Sequence, residues 1–185
     1  MRDETRRARF EALVLPHLDA AYGLARWLTR DTAQAEEAVQ EAFLRAFRYF
    51  GAFHGDDARP WLLGVVRNAC YGVLRSERQE LAVRFEADAV GDDGPAPGAV
   101  VPFPLDPEAS AIARAERELV RRCLRELPPE YREAVVLREM HDCSYREMAQ
   151  IMDVPIGTAM SRLARGRRLL RGALAAQLGR RGTGT

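Results

Sequence analysis

Apolar residues recur along most of this chain at the three- and four-residue spacing of amphipathic helices, and no run of alternating β-branched residues indicates a strand. In the first half of the chain this spacing predicts three helices, over residues 6–28, 31–50 and 60–79. In the second half it predicts four more, over residues 109–127, 129–137 and 144–152 and from residue 158 onward. The pattern therefore predicts an all-α fold.

The second predicted helix has one of the most regular apolar stripes in the chain. Asp31 suits the N-cap position, and Gln34 follows at the third helical position, as in a capping box. The residues expected to face inward are Ala35, Ala38, Val39, Ala42, Phe43, Ala46, Phe47 and Phe50.

Residues 85–109 separate the two groups of helices. They include no arginine, six acidic residues and five prolines, and they show no apolar periodicity. This composition predicts a flexible acidic linker, with a long ordered loop as the alternative. We therefore expect two small helical bundles, at 1–84 and 110–178, joined by the linker and followed by a disordered tail at 179–185.

Charge and cysteine usage narrow the class of protein. The net charge is +1, yet residues 154–185 carry seven arginines and no acidic residue, so one end of the chain is strongly basic. No apolar run reaches the length of a membrane span and no signal peptide precedes the first helix, so we expect a cytoplasmic protein without membrane insertion. Cys70, Cys123 and Cys143 are scattered, which favours buried thiols over disulfides, while a redox role stays open.

Two short helices and a turn near the C-terminus predict a helix-turn-helix. Ser144 and Glu147 form a capping box at the start of the first helix. Pro155 and Gly157 redirect the chain, and Thr158 is expected to cap the last helix. Helix-turn-helix proteins place the second of two such helices in the major groove of DNA.

The last helix has two faces with different chemistry. Ala159, Leu163, Gly166 and Leu170 share the side that should pack inward. Arginine, serine and threonine on the other side can bind base edges or phosphates, whereas the alternative is a solvated basic helix end. The DNA-binding candidates are Thr158, Ser161, Arg162, Arg165 and Arg168.

Several motifs make the chain similar to a known family. The segments Leu124-Arg-Glu-Leu-Pro128, Ser144-Tyr-Arg-Glu-Met-Ala149 and Pro155-Ile-Gly-Thr158 resemble region four of bacterial sigma factors of the extracytoplasmic-function class. The segment 31–43 resembles the region-two helix that docks on RNA polymerase, and Arg59-Pro-Trp-Leu62 with Arg67-Asn68 resembles the helix facing melted promoter DNA. The resemblance implies a factor that binds core RNA polymerase, reads −10 and −35 promoter elements and initiates transcription.

The resemblance also implies roles for residues in the first half. The polymerase-binding candidates lie opposite the apolar stripe of the second helix and are Glu37, Gln40, Glu41 and Arg45. The candidates for binding the −10 element lie in one loop and on the third helix and are Phe53, His54, Asp56, Arg59, Arg67, Asn68, Tyr71 and Arg75. Cations and an aromatic at helical spacing suit a melted nucleic-acid strand. Trp61 is expected to be a core anchor.

One departure from the family pattern concerns partners. Ala159-Met160 stands where a Val-Lys pair is commoner, which removes a cation from the last helix. The Met160 form resembles sigma factors often held by zinc-containing anti-sigma proteins, so such an anti-sigma factor is an expected partner. We expect a monomer when the protein is free.

The residues leave three other functions to consider. A free-standing helix-turn-helix regulator would need no polymerase, and an interaction module would need no DNA. A small metal or acid–base site at His54, Asp56 and Asp57 has no partners at ligand spacing elsewhere. No catalytic motif is present, so we expect no enzyme activity, no cofactor and no bound metal.

Overall fold

The computed structural model describes residues 2–87 and 111–182, and every regular element in these ranges is helical, which confirms the all-α prediction. The α-helices are α1 (Arg2–Val14), α2 (Leu18–Thr29), α3 (Thr32–Tyr49), α4 (Arg59–Ala87), α5 (Ala111–Glu126), α6 (Pro129–Glu139), α7 (Tyr145–Met152) and α8 (Ile156–Gly182). Short 3₁₀ turns occupy Leu15–His17 and Phe50–Ala52. None of the described helices is long and apolar enough to cross a membrane. The chain forms two compact units, one centred on α1 to α4 and one centred on α5 to α8.

The single helix predicted over residues 6–28 is wrong, because the structure divides it into α1, a 3₁₀ turn and α2. Pro16 is the middle residue of this 3₁₀ turn, Leu15–His17. Proline has no backbone N–H to donate and its ring clashes with the preceding turn, so an α-helix cannot pass through it undisturbed.

Two helices continue further than predicted. α4 ends at Ala87 rather than near residue 79, so residues 85–87 are helical and not part of a flexible linker. α8 ends at Gly182, so residues 179–182 of the predicted disordered tail are helical as well. Extending an existing helix adds one hydrogen bond per residue without a new nucleation cost. In α8 this gain outweighs the low helix propensity of Gly179 and Gly182. The remainder of the predicted linker, residues 88–109, and the last residues, 183–185, lie outside the described ranges.

In the first unit α2, α3 and α4 pack on one another, and an aromatic cluster joins α1, the turn after α3 and the start of α4. The Phe10 ring meets Phe50 edge-on with centroids 5.3 Å apart, and Phe53 stacks on Phe50 at 5.9 Å. Trp61 joins them with its ring centroid 5.0 Å from that of Phe53, but it is half-buried, so its expected place as a core anchor is confirmed only in part. Such pairs add stability beyond the area that they bury.

The inward position predicted for Phe47 is wrong in part, because its side chain is 41% exposed. The Arg6 guanidinium lies over the Phe47 ring at 5.1 Å. It also donates hydrogen bonds to the carbonyls of Phe47 and Arg48, at 2.5 and 3.2 Å. These carbonyls belong to the last turn of α3, where the Phe47 carbonyl also accepts the Phe50 N–H, so Arg6 adds a side-chain cap to that helix from α1.

The second unit is built on α8, which packs against α5 and α6. Leu119, Cys123 and Leu124 of α5 are buried, as is Leu127 directly after it. Arg132 of α6 is also buried, and its Nη1 donates to the Arg125 carbonyl at 3.1 Å, which caps the C-terminal end of α5.

Candidate nucleic-acid interface

The predicted capping box at the start of α7 is formed as expected. The Ser144 N–H donates to Glu147 Oε2 at 2.6 Å, and the Glu147 N–H donates to Ser144 Oγ at 3.3 Å. The corresponding cap of α3 is also confirmed, since the Gln34 N–H donates to Asp31 Oδ1 at 2.9 Å. Each cap satisfies backbone groups that the helix leaves open at its N-terminus, so each helix begins where its sequence predicts.

The turn between α7 and α8 is tight. Asp153 has a φ of 52°, a left-handed conformation that aspartate adopts more readily than most residues. The Val154 N–H then donates to the Ala149 carbonyl at 3.1 Å. The turn therefore ends α7 and redirects the chain within three residues.

The predicted start of the last helix is wrong by two residues, since α8 begins at Ile156. The Pro155 carbonyl accepts from the Thr158 and Ala159 N–H groups, at 2.9 and 3.1 Å. Because Pro155 thus stands where the cap was expected, Thr158 lies in the first turn of the helix. It is half-buried and accepts at its carbonyl a hydrogen bond from Ser161 Oγ at 3.0 Å.

The two faces of α8 separate as predicted. Ala159, Leu163 and Gly166 are buried and Leu170 is half-buried. Ser161, Arg165 and Arg168 are exposed on the other side, and Thr158 and Arg162 lie half-buried at its edge.

Three arginines on this exposed side have no partner in the described part of the chain. Arg162, Arg165 and Arg168 take part in no hydrogen bond or ion pair with residues 2–87 or 111–182. No acidic residue follows Asp153 in the sequence. Unpaired guanidinium groups on one face of a helix that has no acidic residue of its own suit binding to phosphates and to the acceptor edge of guanine.

A fourth arginine of α8 has a different function, which the sequence did not reveal. The Arg167 guanidinium binds the carboxylate of Glu139 at the end of α6, with its Nε and Nη2 at 2.9 and 2.5 Å from Oε1. The two residues are 28 positions apart, so no local pattern could have paired them. Arg167 therefore ties α8 to α6.

In the first unit, α4 presents cations beside an aromatic. The Arg67 guanidinium lies over the Tyr71 ring, 4.8 Å from its centroid, and its Nη1 is 3.4 Å from Asn68 Oδ1. One turn later Arg75 Nε donates to the Tyr71 carbonyl at 3.2 Å. The structure thus brings four of the predicted residues together along two turns of α4.

The predicted residues of the preceding loop differ in their exposure. His54 and Asp56 are exposed, and Arg59 is half-buried at the start of α4. Phe53 does not lie at this surface, because its side chain is 8% exposed and packs on Phe50 and Trp61. The Asp57 carboxylate accepts from the Arg59 N–H at 2.9 Å, which orders the end of the loop. Within the described residues no group of His, Cys, Asp and Glu is arranged to hold a metal ion.

The polar face of α3 is also exposed. Glu37, Gln40 and Arg45 are open to solvent, and Glu41 is half-buried and forms a 2.5 Å ion pair with Arg45. Leu44 lies among them with 66% of its surface exposed, and it was not among the predicted residues. A leucine on the polar side of a regular helix was the signal that could have identified it.

A shallow groove runs beside this face. Its volume is about 430 Å³. The lining residues come from α3 and α4 and are Glu37, Gln40, Glu41, Leu44, Arg45, Ala69, Gly72, Val73 and Ser76. A groove with apolar walls and a charged rim is suited to bind another protein.

Comparison with known families matches both units. Residues 13–80 match the family described as Sigma-70 region 2, and residues 117–170 match Sigma-70, region 4. The ECF RNA polymerase sigma-E factor of Escherichia coli (strain K12) is 34% identical over 132 residues, which cover 71% of this chain and 69% of the relative. The RNA polymerase sigma-H factor of Pseudomonas aeruginosa is 32% identical over 176 residues, which cover 89% of this chain and 86% of the relative.

Two solved structures are similar as well. The sigma factor RpoE of Bartonella quintana, solved in complex with the anti-sigma factor NepR, has a TM-score of 0.72 and 26% identity, covering 90% of this chain and 97% of that one. CnrH, solved in complex with the cytosolic domain of CnrY, has a TM-score of 0.63 and 22% identity, covering 92% of this chain and 90% of that one. The second similarity supports the fold alone.

Proposed function

This chain belongs to the sigma-70 family, in its extracytoplasmic-function class. We propose that three of its exposed surfaces, on α8, on α4 with the loop before it and on α3, each have one task in promoter recognition. The protein binds core RNA polymerase, recognises −10 and −35 promoter elements and initiates transcription of a specialised set of genes. Members of the family act as initiation factors and not as enzymes. The assignment of each task to particular residues is the proposal.

The exposed face of α8 reads the −35 element. The supporting observation, on which the proposal chiefly rests, is that Arg162, Arg165 and Arg168 are unpaired in the described part of the chain and share this face with Ser161. Arginine binds guanine through two parallel hydrogen bonds, and serine can bind a base or a phosphate. Thr158, at the edge of the face, completes the set.

The loop before α4 and the first turns of α4 bind the melted −10 element. Tyr71, beside Arg67, offers an aromatic surface next to a cation, which is the combination that binds single strands. His54, Asp56 and Arg59 provide polar groups from the loop, and Asn68 and Arg75 extend the surface along the helix. Holding an unstacked base offsets the few kcal/mol that its unstacking costs. Phe53 supports this surface from the core.

The polar face of α3 binds core RNA polymerase. Glu37, Gln40, Glu41 and Arg45 supply its polar groups, and the exposed side chain of Leu44 gives the face an apolar centre. An apolar centre surrounded by a polar rim is the usual arrangement of a protein interface.

The two DNA-binding units, which we assign to residues 1–84 and 110–178, act as tethered readers. Joining two weak binding sites raises their combined affinity through effective concentration, provided that the tether spans both sites. The remainder of the predicted linker, residues 88–109, is the tether, and polymerase fixes the distance between the sites.

An anti-sigma factor is a further expected partner. The proposal is supported by the similarity to RpoE, which was solved with the anti-sigma factor NepR. That the partner contains zinc stays a prediction, as does the monomeric state of the free protein.

Run-off transcription with core polymerase tests the proposed function. We expect specific transcripts only when both this protein and core polymerase are present, and a gel shift of promoter DNA only with the holoenzyme. A free-standing helix-turn-helix regulator, the alternative, would shift duplex DNA alone and give no transcript. The match to region 2 beside region 4 favours the sigma factor, since a free-standing regulator needs no polymerase-binding region.

A further inference from the structure

The exposed side of α8 is wider than its arginine face and includes apolar residues. Ile156 is 46% exposed and Met160 is 47% exposed, and Ala164 is exposed as well. The three are four residues apart, so they form one stripe along the first turns of the helix. We call this stripe the apolar flank of α8.

The position of the apolar flank follows from the helix geometry. Successive residues of an α-helix turn by about 100° around its axis. Ser161 and Arg168 therefore point in the direction opposite to that of the buried Ala159 and Leu163. Arg162 lies to one side of this direction and Met160 lies to the other. The helix therefore presents a polar centre with a cationic flank and an apolar flank.

The major groove offers few apolar groups. Among the base edges exposed there, the thymine 5-methyl group is the one that favours apolar side chains. We propose that the apolar flank, Met160 above all, reads thymine methyl groups in the upstream promoter element. The inference rests on the proposed function, because it assumes that α8 lies in the major groove.

Two observations favour DNA over a protein as the occupant of the flank. The flank is continuous with the DNA-binding face, since Met160 and Ser161 are neighbours and both are exposed. From Ile156 to Ala164 the helix rises about 12 Å, comparable to the width of the major groove, whereas a stable protein interface buries about 800 Å² per partner. The seven arginines and absent acids of residues 154–185 also favour an anionic occupant.

The test uses the holoenzyme, made from the full chain and core polymerase, and a promoter duplex that it transcribes. Each thymidine of the upstream element is replaced in turn by deoxyuridine, which removes the methyl group and keeps the base pair. We expect about a fourfold rise in Kd at one or two positions, as for the loss of one buried methyl contact. In Met160→Ala the same replacements should leave Kd unchanged.

Leu178→Ala is the matched control. Leu178 is 57% exposed on the same helix and lies 18 residues, or five full turns, after Met160, so it has the same direction. It is about 27 Å further along the axis, beyond the first turns that enter the groove. We expect Leu178→Ala to retain the full deoxyuridine effect.

The outcomes separate this inference from the proposed function. A deoxyuridine effect of equal size in Met160→Ala and in the unaltered protein, or no effect at any thymidine, would overturn the reading of methyl groups. An Arg165→Ala variant that binds the unaltered duplex as tightly as the original protein would instead contradict the proposed −35 face. Circular dichroism confirms that Met160→Ala is folded, as expected for an exposed side chain.

Discussion

Gly166 of α8 lies directly against the backbone of Tyr131 in α6. A Cβ atom at position 166 would lie 2.8 Å from the Tyr131 carbonyl oxygen and 2.8 Å from Val135 Cγ2. Distances this short do not occur between real atoms of these types, so only glycine allows the two helices to approach so closely. The contact fixes α8, and with it the proposed DNA-binding face, on α6.

We predict that Gly166→Ala destabilises the chain by about 1–3 kcal/mol, because the backbone of α6 must move to make room. Gly172→Ala is the control in the same helix, since a Cβ there meets nothing within 4 Å. It should stabilise the chain by about 0.5–1 kcal/mol through the better helix propensity of alanine. Urea unfolding followed by circular dichroism measures both, and effects of the same sign would contradict the close approach.

We predict that Arg165→Ala lowers promoter-dependent transcription by about 5- to 150-fold, equivalent to about 1–3 kcal/mol, if Arg165 binds a base. The control is Arg114→Ala, which removes the same charge from an exposed position on α5. Run-off transcription on several promoters provides the measurement. Activity equal to that of Arg114→Ala on every promoter would show that Arg165 does not belong to the residues that bind the −35 element.

We predict that replacing Gln40 and Glu41 together by alanine weakens binding to core polymerase while the chain stays folded. The Glu41–Arg45 ion pair is partly exposed at the surface, and surface pairs add at most about 1 kcal/mol to stability. Asp19→Ala, an exposed acidic position on α2, is the control. A pull-down with core polymerase compares the variants, and normal binding by the double variant would contradict the assignment of this face.

We predict that all three cysteines react slowly with iodoacetamide in the native protein and quickly in urea. Cys70, Cys123 and Cys143 are buried, and burial raises the pKa of the Cys123 thiol. A raised pKa leaves less of the reactive thiolate at a given pH, so even at pH 8 labelling of Cys123 should stay slow. Mass spectrometry counts the labels, and rapid labelling of one native cysteine would support the redox role that the sequence left open.

The features that the sequence predicted best are local. The caps at Asp31 and Ser144 bind backbone groups three residues away, so the residue types and their spacing contain all the information needed. The inward side of α8 follows in the same way from helical periodicity. The break at Pro16 was equally local and could have been predicted from the proline alone.

The features that were missed depend on partners distant in sequence. Arg6 caps α3 from 41 residues away, and its guanidinium lies over the partly exposed Phe47 ring. Phe53 was predicted to lie in the DNA-binding loop, but its ring packs beside Trp61 and is buried in the core. Leu44 and Met160, by contrast, lie off the apolar stripes of their own helices, so their exposure could have been predicted from periodicity.

The ion pair between Glu139 and Arg167 has a consequence for how tightly the protein holds DNA of any sequence. Each cation that neutralises a phosphate releases counterions, so nonspecific affinity and its salt dependence grow with the number of available arginines. The Glu139 carboxylate binds Arg167, so this arginine of α8 is not available to neutralise a phosphate. We therefore expect the pair to weaken the binding of the holoenzyme to genomic DNA outside promoters.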